Sequence, residues 1–387
     1  MPTLTSLSFA HPDVPSWERS GLALTGSQLG PARKELATRG RDPFFLATCL
    51  RVEIVYPGDS GEAGGVLTAL YGNDSMSNLG VVRHDDGAFL HLCRIAAGLE
   101  SPLVGEPEVL AQFRCAAAAY QEAASAPNAL SRTLKSAVGV GRAARRRLGR
   151  SDAGSLGSVA AQLAATRESV AVLGSGAMAR AVVRSLGPAA GEVYARSPGV
   201  VEGREISDWE GALNALARYA AVVSTVPGQT PLFTDQAVRR VLASRSDPLL
   251  LVDLAMPPGF ERYRDEPGLA YRGIDNVASS VVSDRRVDLD EMVLTEASAA
   301  WARIGADDRT RSVISSIVQR AEQAVDEEVK RFAGRIAAAD DPEPALRQLA
   351  QTVARRVLHG PISYLGSAAG GFEAANVFAE AFGLDDG

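Results

Sequence analysis

Short apolar runs in the middle of the chain predict buried strands. They span 169–173, 192–197, 219–225 and 248–255, and an amphipathic helical pattern follows the first over 180–186. Strands that alternate with helices indicate a doubly wound parallel sheet of the Rossmann type. We expect this sheet to occupy residues 151–287.

The last part of the chain, residues 288–387, is predicted to be entirely helical. Its apolar residues recur every four positions, at Val313, Ile317, Ala321, Val325 and Val329. Such a face is covered either by a second copy of the chain or by packing back onto the preceding domain. The length of the stripe favours the second copy, and hence a helical dimerisation domain.

Residues 1–150 mix short apolar runs with helical stretches at 67–71, 88–96 and 108–124. Turn residues between 98 and 107 separate the last two stretches. This pattern predicts an N-terminal α/β domain, so the chain as a whole is a multidomain α/β protein of three parts.

Composition narrows the classes of function. The 387 residues are 46% apolar and 22% charged with a net charge of −6, which excludes a protein that coats nucleic acid non-specifically. A local basic run at 142–150 is either a solvated helix end or an RNA contact. We expect no signal peptide and no membrane span, and therefore a cytoplasmic protein.

The first chemical candidate is Cys49, which lies between two apolar runs and near Arg51. A guanidinium favours the nucleophilic thiolate, and it can also hold a carboxylate by paired hydrogen bonds. The alternative is a small buried hydrophobic residue, the usual role of an unpaired cysteine. The three cysteines form neither a disulfide framework nor a zinc motif, and no metal is expected.

A glycine-rich turn follows the first predicted strand and opens a helix. It comprises Gly174, Ser175, Gly176, Ala177, Met178 and Ala179. In this context the pattern predicts a dinucleotide site, with the pyrophosphate at the positive end of the helix. A structural turn without ligand is the alternative.

The end of the second strand indicates which dinucleotide is bound. NAD sites usually place an acidic residue there, whereas this chain has Arg196 and Ser197. An arginine at this place suits a 2′-phosphate, so we expect NADPH. The alternative for Arg196 is an exposed turn residue.

Four segments, in order, resemble the glutamyl-tRNA reductase family. Residues 46–53 (LATCLRVE) resemble the family's catalytic-cysteine segment S-T-C-N-R-x-E. Residues 94–112 (RIAAGLESPLVGEPEVLAQ) resemble its R-V-A-S-G-L-D-S-x-V-L-G-E-P-Q-I-L-G-Q. Residues 252–257 resemble the D-x-A-V-P strand of its nucleotide domain, and 359–361 resemble an H-x-P near the end of its dimerisation domain.

The resemblance implies a homodimer with a catalytic, an NADPH-binding and a helical dimerisation domain. It implies NADPH-dependent reduction of glutamyl-tRNA to glutamate-1-semialdehyde through a cysteine thioester, the first step of tetrapyrrole biosynthesis. Glutamyl-tRNA is then the substrate, and the downstream aminomutase is an expected partner.

The resemblance also assigns roles to residues. Cys49 becomes the nucleophile and His91 a second catalytic group, while Thr225 joins the cofactor site. Without it, His91 would be interpreted as a core histidine. The substrate-binding residues it implies are Thr48, Arg51, His84, Ser101, Glu106 and Gln112. The alternatives are a surface turn for His84, a capped turn for Ser101 and a surface acid for Glu106.

The chain departs from the family pattern next to the nucleophile, where Leu50 replaces asparagine. The change removes hydrogen-bonding groups. Two alternatives are therefore retained. One is a divergent paralogue that reduces another aminoacyl-tRNA or acyl thioester. The other is a non-catalytic dimeric protein that binds tRNA or a partner.

Overall fold

A computed structural model describes residues 3–76, 78–124, 128–149, 154–227, 232–260, 265, 267–281, 287–367 and 371–384. By internal contacts the chain divides into two compact units, residues 1–305 and 306–387. The first unit holds two sheets, and the second consists of helices.

The N-terminal domain is built on an antiparallel sheet in the order β2-β3-β1-β4. Its strands are β1 Leu4–Ala10, β2 Phe44–Ala47, β3 Arg51–Pro57 and β4 Val81–His84. Its helices are α1 Ser16–Leu22, α2 Gly26–Thr38, α3 Ala63–Tyr71, α4 Asp85–Ala97, α5 Pro107–Ala123 and α6 Ala129–Leu148.

Both faces of this antiparallel sheet are buried. Helices α4, α5 and α6 cover one face, where Phe44 and Phe113 meet in the core. Helices α2 and α3 cover the other face, around Phe9 and Ile54. Burial on both sides explains why β1 and β3 contain few exposed positions.

The Rossmann domain contains the second sheet, in the order β11-β10-β9-β5-β6-β8-β7. Its strands are β5 Val170–Leu173, β6 Ala190–Ala195, β7 Val200–Val201, β8 Arg204–Asp208, β9 Ala221–Ser224, β10 Leu249–Asp253 and β11 Leu269–Gly273. Its helices are α7 Leu156–Ala164, α8 Ala177–Leu186, α9 Ala212–Arg218, α10 Asp235–Ala243 and α11 Ile274–Ser279.

The strands of this sheet are parallel, apart from the short antiparallel β7–β8 pair. The predicted doubly wound sheet is therefore confirmed. The order reverses beside β5, where the glycine-rich turn begins, and such a switch point is where open α/β sheets bind ligands.

Three helices complete the chain: α12 Val287–Ala337, α13 Glu343–Leu365 and α14 Gly371–Phe382. The predicted helical C-terminal region is confirmed. No helix in the described ranges combines the length and apolarity that a membrane crossing needs.

The predicted apolar stripe of α12 is largely exposed within the second unit. Val313, Ile314, Ile317 and Val318 each expose between 50% and 59% of their surface. Apolar surface of this extent on one helix face marks an interaction site. Farther along α12, the buried Glu328 accepts hydrogen bonds from Arg331 and Arg356 at 3.1 and 2.8 Å.

We predict that this stripe holds two copies of the chain together. Replacing both Ile314 and Val318 by Glu should convert the dimer to a monomer, because like charges would then lie in an apolar interface. Light scattering after size exclusion measures the mass. Gln319→Glu, at an exposed position on the opposite face of the same helix, is the matched control, and a double variant that stays dimeric would refute the interface.

Candidate active site

The turn between β2 and β3 presents Cys49. It is tight because the Thr48 N–H donates to the carbonyl of Arg51 at 2.8 Å, and the Leu50 N–H donates to the Thr48 hydroxyl at 3.3 Å. The His11 N–H donates to the Leu50 carbonyl at 2.9 Å and holds the turn from the other side. Thr48 thus shapes the turn that carries the cysteine.

A cavity of about 100 Å³ opens at this turn. It brings together six of the predicted catalytic and substrate-binding residues, together with the start of α8. The described lining residues are Thr48, Cys49, Leu50, Arg51, Ser101, Glu106, Glu108, Val109, Gln112, Ala177 and Met178. Residues distant in sequence and from two domains therefore converge on one thiol.

The thiol of Cys49 is less acidic than the neighbouring arginine suggested. Burial, and to a lesser extent the charge of Glu106, raises the pKa of Cys49 to about 12, against the opposing influence of Arg19 and Arg51. Arg51 acts in the expected direction, since its charge lowers the pKa of Cys49, but desolvation outweighs this attraction.

Glu106 is the second unusual group of the cavity. Burial, together with the neighbouring charge of Glu108, raises the pKa of Glu106 to about 7, while the N–H of Leu156 donates to it at 3.4 Å. Its predicted alternative, a surface acid, is wrong, because only 5% of the residue is exposed. A carboxyl with this pKa exchanges a proton near neutral pH.

Arg51 is held by a buried network that begins at Glu53. The carboxylate of Glu53 accepts hydrogen bonds from Ser8 at 2.9 Å and from Arg51 at 3.5 Å, and it lies 3.2 Å from His91 Nε2. Arg51 also donates to the carbonyl of Glu100. Glu53 was not singled out from the sequence, although an acid within an apolar run was the available signal. The structure buries this acid completely.

His91 lies behind the cavity, outside its described lining. Its ring faces Glu53 and comes within 4.0 Å of Glu100, so the structure places it in the layer that supports Arg51. His84 lies farther away, exposed at the end of β4, with Nδ1 3.4 Å from the Thr5 hydroxyl. Neither histidine is among the described residues that line the thiol cavity.

Leu50 connects the turn to the Rossmann domain. It is 5% exposed and belongs to the apolar cluster formed by α7, α8 and the parallel sheet. Cys49 and Leu103 pack against the same cluster. The residue that departs from the family pattern therefore acts as an interdomain contact.

The glycine-rich turn has the geometry of a phosphate site. Gly174 adopts φ +117°, and a Cβ there would collide with the Thr225 hydroxyl. A Cβ on Gly176 would meet nothing within 4 Å, so space is open at the start of α8. Helix α8 has no side-chain cap and no acid in its first turn, which leaves its N–H groups for an anion.

Other predicted cofactor residues surround this turn. Thr225 donates to the carbonyl of Leu173 at 3.0 Å and closes the ends of β5 and β9. Ser175 is half-buried and Ala179 is buried against the sheet. Arg196 and Ser197 are exposed directly after β6, and the Arg196 guanidinium lies 5.8 Å from the centre of the Trp209 ring. These residues border a site whose geometry suits a dinucleotide.

A larger cavity of about 870 Å³ adjoins the first. Ser101 lines both, so the segment around it forms the shared wall. Arg94 crosses this cavity, donating to Glu100 at 2.6 Å and pairing with Asp290 at the start of α12. Among the described residues no group of His, Cys, Asp and Glu is arranged to hold a metal ion.

Comparison with known proteins agrees with this arrangement. Residues 7–148 match the model of the glutamyl-tRNA(Glu) reductase N-terminal domain, and residues 291–384 match that of the dimerisation domain of the same enzyme.

Full-length relatives carry the same name. The chain is 28% identical to a glutamyl-tRNA reductase of Marinobacter nauticus, over 92% of this chain and 90% of that protein. It is 26% identical to one of Pseudomonas aeruginosa, over 99% and 98% of the two chains. A solved glutamyl-tRNA reductase from Methanopyrus kandleri is 23% identical, with a TM-score of 0.46 over 92% of this chain and 94% of that one.

Two domain models of one family match in order and together cover more than half of the chain. The chain therefore belongs to the glutamyl-tRNA reductase family.

Proposed function

We propose that this protein reduces glutamyl-tRNA to glutamate-1-semialdehyde with NADPH, by way of a thioester on Cys49. The observation that carries the proposal is the cavity in which the Cys49 thiol meets the start of α8. A nucleophile and a dinucleotide-binding helix in one small space are what thioester reduction needs.

The acyl transfer begins at Cys49. Its thiolate would attack the ester carbonyl of the aminoacyl group, forming the C–S bond and releasing the tRNA hydroxyl. NADPH, when bound at the glycine-rich turn, supplies the hydride that converts the thioester to the aldehyde. Cys49 then leaves as thiolate. In this scheme Glu106, with its pKa of about 7, takes the thiol proton as the C–S bond forms and passes it to the departing tRNA oxygen.

Recognition of the amino acid is assigned to Arg51. Its guanidinium lines the cavity while Glu53 and the Glu100 carbonyl fix its orientation, so it presents a cation to the side-chain carboxylate of a substrate. Thr48, Ser101 and Gln112 line the same space and supply hydrogen-bonding groups.

The larger cavity suits the part of the substrate beyond the amino acid. It shares Ser101 with the thiol cavity. Its carboxylates, such as those of Asp290 and Glu291, can accept hydrogen bonds from ribose hydroxyls. The exposed arginines Arg142 and Arg146 on α6 would contact the tRNA backbone, while Arg150 of the same run lies outside the described residues.

A homodimer follows from the exposed stripe of α12 and the match of residues 291–384 to a dimerisation domain. The downstream aminomutase is proposed as a partner on the resemblance alone. A non-catalytic binding protein is the competing function, and the presence of Cys49 and the start of α8 in one cavity speaks against it.

The function is tested by offering the protein charged tRNAs with NADPH and measuring aldehyde. We expect glutamyl-tRNA to be reduced and glutaminyl-tRNA to be refused, because an amide would leave Arg51 without its ionic partner. Faster reduction of an apolar aminoacyl-tRNA would favour a divergent paralogue, and no NADPH oxidation with any of them would favour the binding protein.

We predict that Cys49→Ser abolishes reduction and leaves folding and NADPH affinity near normal. A serine hydroxyl in this cavity has no accessible anionic form, so the thioester cannot arise. Cys115→Ser, at an exposed position, is the matched control and should retain activity. Normal turnover in Cys49→Ser would exclude a covalent role for this residue.

Cofactor choice gives a second prediction. Arg196→Ala should weaken NADPH binding by about 1–3 kcal/mol, the scale of a charged hydrogen bond, and leave NADH binding unchanged. Arg184→Ala is the control, because Arg184 pairs with Glu202 on the surface. Equal losses for the two cofactors, measured by fluorescence titration, would show that Arg196 does not contact the 2′-phosphate.

The third prediction concerns Glu106. Once ionised, its charge contributes to the raised pKa of Cys49, so Glu106→Gln should speed alkylation of Cys49 about threefold to tenfold above pH 7, and little below it. A carboxyl whose pKa is raised on folding stabilises the protein at low pH. That contribution is lost as the pH rises from 4.5 through about 7.

Glu106→Gln should therefore also raise the melting temperature relative to the wild type at pH 8. Glu122→Gln, at an exposed position on α5, is the matched control for alkylation, because it removes an acid of the same helix without touching the cavity. An unchanged alkylation profile in Glu106→Gln would show that the two groups do not interact.

A further inference from the structure

A fully buried arginine links the cysteine turn to the Rossmann domain. Arg19 of α1 donates to the carbonyl of Cys49 at 3.0 Å and to Asp275 at 2.7 Å, both through one guanidinium nitrogen. The other terminal nitrogen donates to the carbonyl of Val14. One cation thus contacts the backbone of the nucleophile and a carboxylate of the other domain.

Asp275 is the carboxylate that accepts the hydrogen bond from Arg19. It lies in α11, directly after β11 of the parallel sheet. It also accepts the Ser16 N–H at 2.7 Å and lies 3.3 Å from His11 Nδ1. Burial would raise the pKa of Asp275, but the hydrogen bonds from His11, Arg19 and Ser16 outweigh it and hold that pKa far below the usual range.

Leu50, which follows Cys49, also fixes the turn between β2 and β3. Leu50 packs into the apolar cluster of the Rossmann domain, and the start of α8 closes the thiol cavity. The contacts at Arg19, Asp275 and Leu50 therefore act together: while the Rossmann domain is docked, Cys49 lies half-buried at a small cavity, where its access to water is restricted.

We propose that Asp275 and Arg19 are positioning residues that fasten the Cys49 turn to the docked Rossmann domain, and that releasing this link exposes the thiol and makes it reactive. The inference deepens the proposed function, since it concerns the nucleophile of that reaction. Two stages of the chemistry place opposite demands on the site. Attack on the ester needs a hydrated thiolate, whereas hydride transfer needs a dry thioester close to the nucleotide domain.

Charged groups on three elements face the thiol and affect its pKa. They are Glu106 at the start of α5, Arg19 on α1 and Arg51 on β3. Loss of the link moves Arg19 and admits water, while Glu106 and Arg51 stay on their own elements. The expected net effect is a more acidic thiol, because desolvation is the largest of the influences.

The test is the rate of alkylation of Cys49 by iodoacetamide between pH 7 and 10, in the full-length Cys115→Ser protein, followed by peptide mass analysis. We expect Asp275→Ala and Asp275→Asn to alkylate about tenfold faster and to shift the profile to lower pH, as one pKa unit requires. Arg19→Lys keeps the charge and one contact, so it should lie between these variants and the parent.

The matched control is Asp42→Asn, which breaks a similar ion pair in the same domain, where Arg33 donates twice to Asp42 at 2.7 Å. It should alkylate like the parent. If Asp275→Ala is poorly folded by circular dichroism, Asp275→Asn carries the comparison.

Alkylation at the parental rate or slower in a folded Asp275 variant would overturn the proposal. So would an equal increase in Asp42→Asn, which would indicate general loosening. Because alkylation requires neither tRNA nor NADPH, this result is independent of whether glutamyl-tRNA is the substrate.

Discussion

The active site depends on one interdomain contact, the packing of the β2–β3 turn against the Rossmann domain. Leu50 supplies the apolar part of this contact, and its burial places the neighbouring thiol at the start of α8. Burying a leucine side chain contributes about 1.5–3 kcal/mol, so the contact is a substantial part of the docking. Without it, Cys49 and the glycine-rich turn would belong to separate surfaces.

Behind the turn, a network of buried charged side chains restricts the motion of Arg51, a side chain that is normally flexible. Glu53 has no exposed surface, and it gathers Ser8, Arg51 and His91 around one carboxylate. An arginine held in this way loses little further freedom when it binds a carboxylate, which favours selectivity. His91 belongs to this layer by position, because its ring faces Glu53 and it is not among the described residues that line the thiol cavity.

The sequence predicted the elements well and the electrostatics poorly. Strict apolar runs and the glycine turn located the parallel sheet, because backbone sterics and burial act on neighbouring residues. The convergence of Thr48, Ser101 and Gln112 could be expected only from resemblance, since no local pattern joins them. Arg19 and Asp275 lie 256 positions apart, and nothing in either segment indicates their contact.

The acidity of Cys49 illustrates why such sites resist prediction from residue types. An arginine two positions away favours the thiolate. The pKa of Cys49 is nevertheless raised, because desolvation by burial outweighs the attraction of Arg19 and Arg51. Desolvation also raises the pKa of Glu106 to about 7, so the pKa values of the thiol and of the carboxyl both rise. Both groups of this small cavity therefore hold their protons to a higher pH than they would in water. In the reaction that we propose, access of water to the cavity therefore matters as much as the identity of the nucleophile.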